Sequence, residues 1–209
     1  MPTGKQLAVF DFDKTLVARD SFRLFSRMAA RSRREHTLAL LLAVLCKVGL
    51  IGNAAYKEQL LQRLWYGRKP DEQAEVLTRL YAQLERLAYS AIVCCLREHL
   101  REGHQVVLLS ASPALYVAPF VREVWSAEIE VFASRFEHGE SDNLYGARKA
   151  QVLRSLIDTR RPEVVWIYTD HRSDIPLIEM AHRVRLVRPS ARLLRTLRAR
   201  GVAFEVMAV

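Results

Sequence analysis

Two acids close a short apolar run near the start of the chain: in LAVFDFDKTLVARD, residues 7 to 20, Asp11 and Asp13 follow directly on LAVF. On a strand that kept its pleat, residues two apart would face the same way. Two carboxylates held together at a strand end repel unless a cation or a shared proton compensates. A hard divalent ion such as Mg²⁺ is the natural compensator, because it binds one or two carboxylates together with waters and a substrate phosphate. Acids of the same kind should then recur at neighbouring strand ends. They do: YTDHRSD places Asp170 and Asp174 just past an apolar run at 164–169. The stretch LLSAS ends another run with Ser110, whose hydroxyl and following backbone N–H groups suit phosphoryl oxygens, and GARKAQVL offers Lys149 at the start of a helix as a mobile positive charge. Phosphoryl transfer requires this mixture of charge neutralisation and positioning. Taken singly, the acids read as turn or cap residues, Ser110 as a turn residue and Lys149 as a solvated lysine. Their coincidence in order, each after an apolar run, is what carries chemistry. His171, with no partner at metal or triad spacing, reads as a cap or rim residue.

Something must bring these distant residues together. Short β-rich runs recur at 7–10, 105–110, 164–169, 184–187 and 202–206, with helical patterns at 113–124, 147–158, 175–182 and 190–200 between them. Alternation of this kind predicts an α/β fold, a Rossmann-like parallel sheet with helices on both faces. Sites in such sheets lie beyond the carboxyl ends of the strands, where Asp11, Asp13, Ser110 and Asp170 all fall. The interval from 20 to 101 breaks the alternation and reads as helix throughout, in pieces at 21–34, 37–51, 54–66 and a stretch from 71 to 101 divisible in two. The expected organisation is therefore a core of residues 1–19 and 102–209 with a helical cap at 20–101. A small hairpin is expected at 129–145, turning at EHGESDN.

Composition limits the partners. The chain has 209 residues and a formal charge of +9, so anionic partners are favoured: nucleic acid, acidic lipid surfaces or phosphorylated substrates. Aromatics are not interleaved with the basic residues as single-strand nucleic-acid binding prefers, and no specific nucleic acid is expected. Cys46, Cys94 and Cys95 form no C-x-x-C pair, which predicts reduced thiols in a cytoplasmic protein and no zinc site. MPTGKQ lacks the features of a secretory signal. The run LALLLAVLC at 38–46, extending to Ile51, is too short to span a bilayer. Apolar all round, it is expected as the buried central helix of the insert; with RSRR before it, the alternative is a helix lying on the cytoplasmic face of an anionic membrane.

The order DFDKTL, Ser110, Lys149, DHRSD resembles the four motifs of the haloacid dehalogenase superfamily of aspartate-nucleophile phosphatases. The insertion after the first motif resembles the all-helical C1-type cap of subfamily IB, which contains phosphoserine phosphatase and the phosphatidylglycerophosphatase C type. The resemblance implies that Asp11 attacks phosphorus and becomes a transient aspartyl phosphate, while Asp13 serves alternately as acid and base. It also implies a Mg²⁺ site of Asp11, the backbone carbonyl of Asp13, and Asp170, with Asp174 orienting the ion's waters or Lys149, and with Ser110 and Lys149 on the phosphoryl oxygens. Asp20, Phe12 and Ala111 are expected to meet the substrate, Asp20 alternatively capping a helix at Ser21. Lys14 stands where the family usually has a small residue, often glycine, Ser173 where phosphoserine phosphatases carry asparagine, and SAS replaces their SGG. DSFRLFSRM, the apolar 38–51 segment and YKEQLLQRLWYGR are similar to the phosphatidylglycerophosphatase C type. These features lead to an expectation of a Mg²⁺-dependent phosphomonoesterase acting on a phosphorylated lipid headgroup or related small ester, with a soluble-metabolite phosphatase as the alternative.

Overall fold

The structure is a computed structural model that describes residues 6–137 and 140–209. Strand β1 (Gln6–Phe10) leads into helices α1 (Ser21–Ala29), α2 (Arg33–Lys47), α3 (Asn53–Leu64), α4 (Pro70–Arg86) and α5 (Ser90–Arg101). There follow β2 (Gln105–Pro113), α6 (Ala114–Phe120), β3 (Glu130–Glu137), β4 (Glu140–Asp142) and α7 (Ala147–Arg160). The chain ends in β5 (Val164–Thr169), α8 (Ile175–Ile178), β6 (Arg183–Val187), α9 (Ala191–Ala199) and β7 (Glu205–Met207). The strands form one sheet ordered β4-β3-β2-β1-β5-β6-β7, parallel except for the antiparallel β3–β4 pair.

Because β1 lies between β2 and β5, connections leave it to opposite sides, and a crevice opens at its carboxyl end. Alternation along the strand divides the core: Leu7 and Val9 join Val107, Leu109, Val165 and Ile167 on the face covered by α7, α8 and α9. Ala8 and Phe10 face the other way, with Leu108, Tyr168 and the residues of the inserted helices. Phe25 of α1 stacks on Tyr116 of α6 at 5.4 Å, and Tyr81 of α4 meets Phe120 at 5.5 Å, so insert and sheet layer share one continuous core.

Several expectations change. The first helix stops at Ala29, and Ser32 caps α2 through a bond from the Glu35 N–H, so the break falls at 30–32 and not at 35–36. The 71–101 stretch is two helices, and the second packs on the sheet: His99 of α5 meets Phe10, Trp166 and Tyr168, and its Nε2 lies 3.0 Å from the Tyr168 hydroxyl. Within the interval 20–101, α5 is thus the helix that joins the insert to the sheet through His99. Strand β2 runs three residues past Ser110, the helix expected at 175–182 is a single turn after a 3₁₀ turn at Arg172–Asp174, and the last strand sits at Glu205–Met207 instead of 202–206. The hairpin is present as β3 and β4, but β3 also joins the main sheet beside β2; the tip of its turn, residues 138 and 139, lies outside the described residues. Cys46, Cys94 and Cys95 are free thiols.

Helix α2 departs most. Only Ala39 and Leu42 are buried, while Leu40, Leu41, Val44 and, just beyond, Val48 and Leu50 are exposed, so it is no central helix of a bundle. No helix among the described residues is long and apolar enough to cross a membrane.

Helix α7, which carries Lys149, ends on Arg161 in the left-handed region (φ 47°, ψ 57°), with its N–H bonded to the Ile157 carbonyl at 2.8 Å. Glycine adopts that conformation without the steric cost a side chain carries there. Arg161→Gly should stabilise the protein by about 0.5–1 kcal/mol, read as a raised midpoint in thermal or urea unfolding.

Candidate active site

Past β1, the N–H of Asp11 still bonds the Tyr168 carbonyl at 2.9 Å, which registers the first acid against β5. The chain then turns: the N–H groups of Leu16 and Val17 both reach back to the Phe12 carbonyl, and Lys14 takes a φ of 60°. That left-handed position explains why a glycine would suit residue 14; here lysine accepts the strain and brings a cation to the crevice. The turn aims Asp11 and Asp13 into one cavity of about 390 Å³, whose walls also include Lys149, Asp170 and Asp174.

Lys149 is the electrostatic centre. Its ammonium donates to Asp11 Oδ1 at 2.6 Å and to Asp174 Oδ2 at 3.3 Å, with only 4% of its side chain exposed. Burial works against its charge, yet the two carboxylates outweigh burial and hold it protonated above the usual lysine range. Lys149 is thus fixed, not mobile as its place at a helix start implied. Asp174 also accepts from Thr169 Oγ1 at 2.7 Å and from Ser173 Oγ at 3.3 Å, which locks the far side of the pair.

The acids outnumber their counter-charges. Burial pushes the Asp11 carboxyl up, Lys149 opposing and Asp174 adding to the shift. Burial, then repulsion from Asp11 and Asp174, pushes Asp170 up to about 7. Among the described residues Asp170 makes no side-chain hydrogen bond or ion pair, so its oxygens face the cavity unclaimed. Oxygen donors with surplus negative charge suit a hard divalent cation, and Asp170, with Asp11 across the cavity, offers carboxylate oxygens to one, while the Asp174 oxygens are taken by Lys149, Thr169 and Ser173.

Asp13 is held differently. It accepts from the Ser21 N–H at 2.7 Å and from Ser112 Oγ at 2.5 Å, and the Ser21 hydroxyl links Ser112 (3.0 Å) to Tyr116 (2.9 Å). Burial, then Asp20, raises its pKa to about 7 against the pull of these hydrogen bonds. The first motif thus has one carboxylate against a lysine and one in a hydroxyl network.

Other expected residues fall as follows. Ser110 is buried with its Oγ accepting from the Ser112 N–H at 3.0 Å, one layer behind the cavity wall. Ala111 lines the cavity, its carbonyl taken by Lys57 and Ser134. Asp20 lines it too while capping α1 through the Arg23 N–H at 2.9 Å. Phe12 corrects its expectation: the ring is fully buried against Phe120 and Trp125, so its side chain is core and only its backbone is near the site. His171 caps the 3₁₀ turn through the Ser173 N–H and sits on the rim. Ser21, Ser112 and Lys57 were not anticipated; the second serine of SAS, at pleat spacing from Ser110, was the one available signal.

Lys57 comes from α3 in the insert. Its Nζ donates to the Ala111 carbonyl at 2.5 Å and to Asn143 Oδ1 at 3.2 Å, which accounts for two of three N–H groups on a side chain that lines the cavity.

A profile of haloacid dehalogenase-like hydrolases matches residues 8–179. The chain belongs to that family. This hydrolase is 26% identical over 211 residues to an inhibition of morphological differentiation protein of Streptomyces azureus, covering 93% of this chain and 76% of that one. It is 23% identical over 214 residues to a probable phosphatase of Mycobacterium tuberculosis, covering 96% and 75%. Among solved structures, a Bordetella pertussis protein of unknown function superimposes with a TM-score of 0.84 at 22% identity, over 99% of each chain. A substrate-bound phosphoserine phosphatase follows the same fold, with a TM-score of 0.67 at 15% identity, covering 92% of this hydrolase and 90% of that chain.

Burial lowers the Lys57 pKa to about 8, with Lys149 adding to the fall and Asp13 and Asp20 opposing it. Its charge is therefore half lost near pH 8, nearly complete about a unit below and largely gone about a unit above. For a phosphate ester bearing a further anionic group, KM should rise above about pH 8 in the wild type and stay flat in Lys57→Arg, whose guanidinium does not titrate there. An ester with no second charge should show neither effect, as measured by steady-state kinetics across pH 6.5–9.5 at saturating Mg²⁺.

Proposed function

We propose that this hydrolase is a Mg²⁺-dependent phosphomonoesterase that works through an aspartyl phosphate on Asp11, with a phosphorylated lipid headgroup as its substrate. The observation that carries the chemistry is the division of the first motif: Asp11 against Lys149, Asp13 in the Ser21 and Ser112 network. An Asp11 oxygen attacks phosphorus as the P–O bond to the alcohol breaks, and Asp13 gives its proton to the departing oxygen. Water then attacks phosphorus and gives a proton to Asp13 as the bond between phosphorus and the Asp11 oxygen breaks, which frees the Asp11 carboxylate and releases inorganic phosphate. A halide leaving group needs no proton, so a placed second acid favours an ester substrate over a haloacid. Asp11, the backbone carbonyl of Asp13, and Asp170 would hold Mg²⁺, which supplies charge neutralisation at the phosphoryl group, while Asp174 orients Lys149. Lys149 keeps Asp11 ionised and balances charge there, and Ser110 supports the wall from behind Ser112.

The lipid reading rests on the insert. Lys47, Asn53 and Tyr56 line the cavity where α2 gives way to α3, and the exposed apolar residues Val48 (62%) and Leu50 (72%) lie in that same connection. Exposed apolar residues next to Lys47, with Arg33 and Arg34 at the opposite end of the same helix, suit the interface of an anionic membrane, with the phosphate-ester cavity opening by Lys47. A specific feature also favours the alternative, a soluble-metabolite phosphatase: Asp20 and Lys57 set opposite charges in the cavity, as a zwitterion such as phosphoserine would require.

Chelation should abolish hydrolysis of p-nitrophenyl phosphate, and Mg²⁺ should restore it. Asp11→Asn should be inactive on every ester, whereas Asp13→Asn should lose roughly 10²–10⁴-fold in kcat/KM, which reports formation of the aspartyl phosphate alone, on an alkyl phosphate and far less in kcat/KM on p-nitrophenyl phosphate, whose leaving group needs no proton. Equal losses on both esters would remove Asp13 from the acid role. For the membrane, cosedimentation should show binding to vesicles containing phosphatidylglycerol and weaker binding to phosphatidylcholine alone. Val48→Ser with Leu50→Ser should weaken the former at least about tenfold. A phosphoserine preference with no vesicle binding would turn the assignment to the soluble reading.

A further inference from the structure

Helices α1 and α2 run side by side, yet between them lies a groove of about 330 Å³ that the protein's own side chains do not fill. Residues 36, 39, 40 and 43 of α2, and 23, 26 and 27 of α1, line it, each set one face of its helix. The groove is open because three of these positions are small: Ser26, Ala39 and Ala43. A leucine at any of them would close it. The floor asks for no polar partner, since the Ser26 hydroxyl is spent on the Phe22 carbonyl at 2.7 Å and His36 Nδ1 lies 2.9 Å from the Ser32 carbonyl. A groove lined by Ala39, Ala43 and Leu40, with its charged groups Arg23 and Arg27 in the walls, is better filled along that apolar face by hydrocarbon than by water.

Two observations say which hydrocarbon. Tyr56 of α3 is a wall of this groove and of the catalytic cavity alike, so the two spaces adjoin across one ring, itself edge-on to Phe22 at 5.4 Å, and a turn of that ring is what would join them. The remaining lining groups Arg23 and Arg27 are cationic, which suits a ligand whose other end is anionic. Leu40, exposed by 60%, forms the outer lip and continues into the exposed Leu41 and Val44, so a chain enters from an apolar surface.

We propose that the α1–α2 groove is an acyl-chain site, and that it selects phosphate monoesters carrying one hydrocarbon chain, held with the phosphate at Asp11 and the chain past Tyr56. This rests on the phosphomonoesterase reading above and narrows it to single-chain amphiphiles such as an acylglycerol phosphate. From His36 to Ala43 the groove extends about 10 Å along the helix axis, room for about eight methylenes. Binding should therefore strengthen by about threefold for each methylene that reaches the groove past Tyr56 and level off once about eight have entered it.

The test uses the full chain with Mg²⁺ and n-alkyl phosphates from ethyl to dodecyl, all below their micelle concentrations and with no vesicles present. The readout is the ratio of kcat/KM for octyl over ethyl phosphate, which cancels any general loss of activity. A ratio above about 100 in the wild type that falls at least tenfold in Ala43→Phe, which fills the groove, supports the site. Leu40→Ser, an exposed change that leaves folding intact, should lower it more modestly and serves where Ala43→Phe fails to fold. A ratio near one, or a high ratio that neither variant changes, overturns the acyl site while leaving the phosphatase reading in place. No hydrolysis of ethyl, octyl or p-nitrophenyl phosphate overturns both.

Discussion

The site depends on one buried cation. Lys149 sits between Asp11 and Asp174 with almost none of its side chain exposed, and its charge survives burial only because both carboxylates are in reach. The dependence is mutual, for without the ammonium two acids would be buried at close quarters and one would protonate. An Asp11 that holds a proton is no nucleophile. The supports of Lys149 are accordingly rigid: α7 delivers it from the first helical turn, Thr169 and Ser173 fix Asp174, and the Asp11 N–H is pinned to β5. Removing either partner from such a pair costs far more than a surface ion pair contributes, because it strands a charge in a poorly solvated place.

That triad also shows what a sequence makes legible. Asp11, Asp13, Lys149, Asp170 and Asp174 were readable because a parallel sheet collects its chemistry at the carboxyl ends of strands, and a strand end is a local event: an apolar run that stops at a polar residue. The cavity does gather all five. Ser112 was less accessible, since its role follows from β2 running on to Pro113 past a shift in register against β3, and bulges leave little trace in hydrophobicity. The same extension moved Ser110 from the edge of the cavity to the layer behind it. Lys57 had no local signal, because it reaches Ala111 and Asn143 from another layer of the molecule and only packing brings them together.

Helix α2 was misread for a different reason. Apolar residues on every side establish that a helix cannot rest with any face in water at no cost, but not what covers it. The insert already has its own core in Leu60, Leu61, Val76, Leu80 and Leu84, contributed by α3 and α4, and α2 is left at the periphery with leucines outward. The peripheral helix also carries the small residues of the groove, and its end borders the cavity mouth, so the least buried element of the insert is the one best placed to meet a substrate.

The hydroxyl network around Asp13 joins these parts. Its carboxylate takes one bond from the first residue of α1 and one from β2, and Ser21 passes the connection to Tyr116 on α6. Asp13 is thus held jointly by the insert and the sheet, while Asp11, which bonds Lys149, is held by the sheet layer alone. A displacement of α1, which forms one wall of the groove, would loosen a hydrogen bond to Asp13 before it touched Asp11. The proposed occupation of the groove would therefore bear on Asp13 through Ser21–Ala29, and leave Asp11 to partners that the sheet layer has already set.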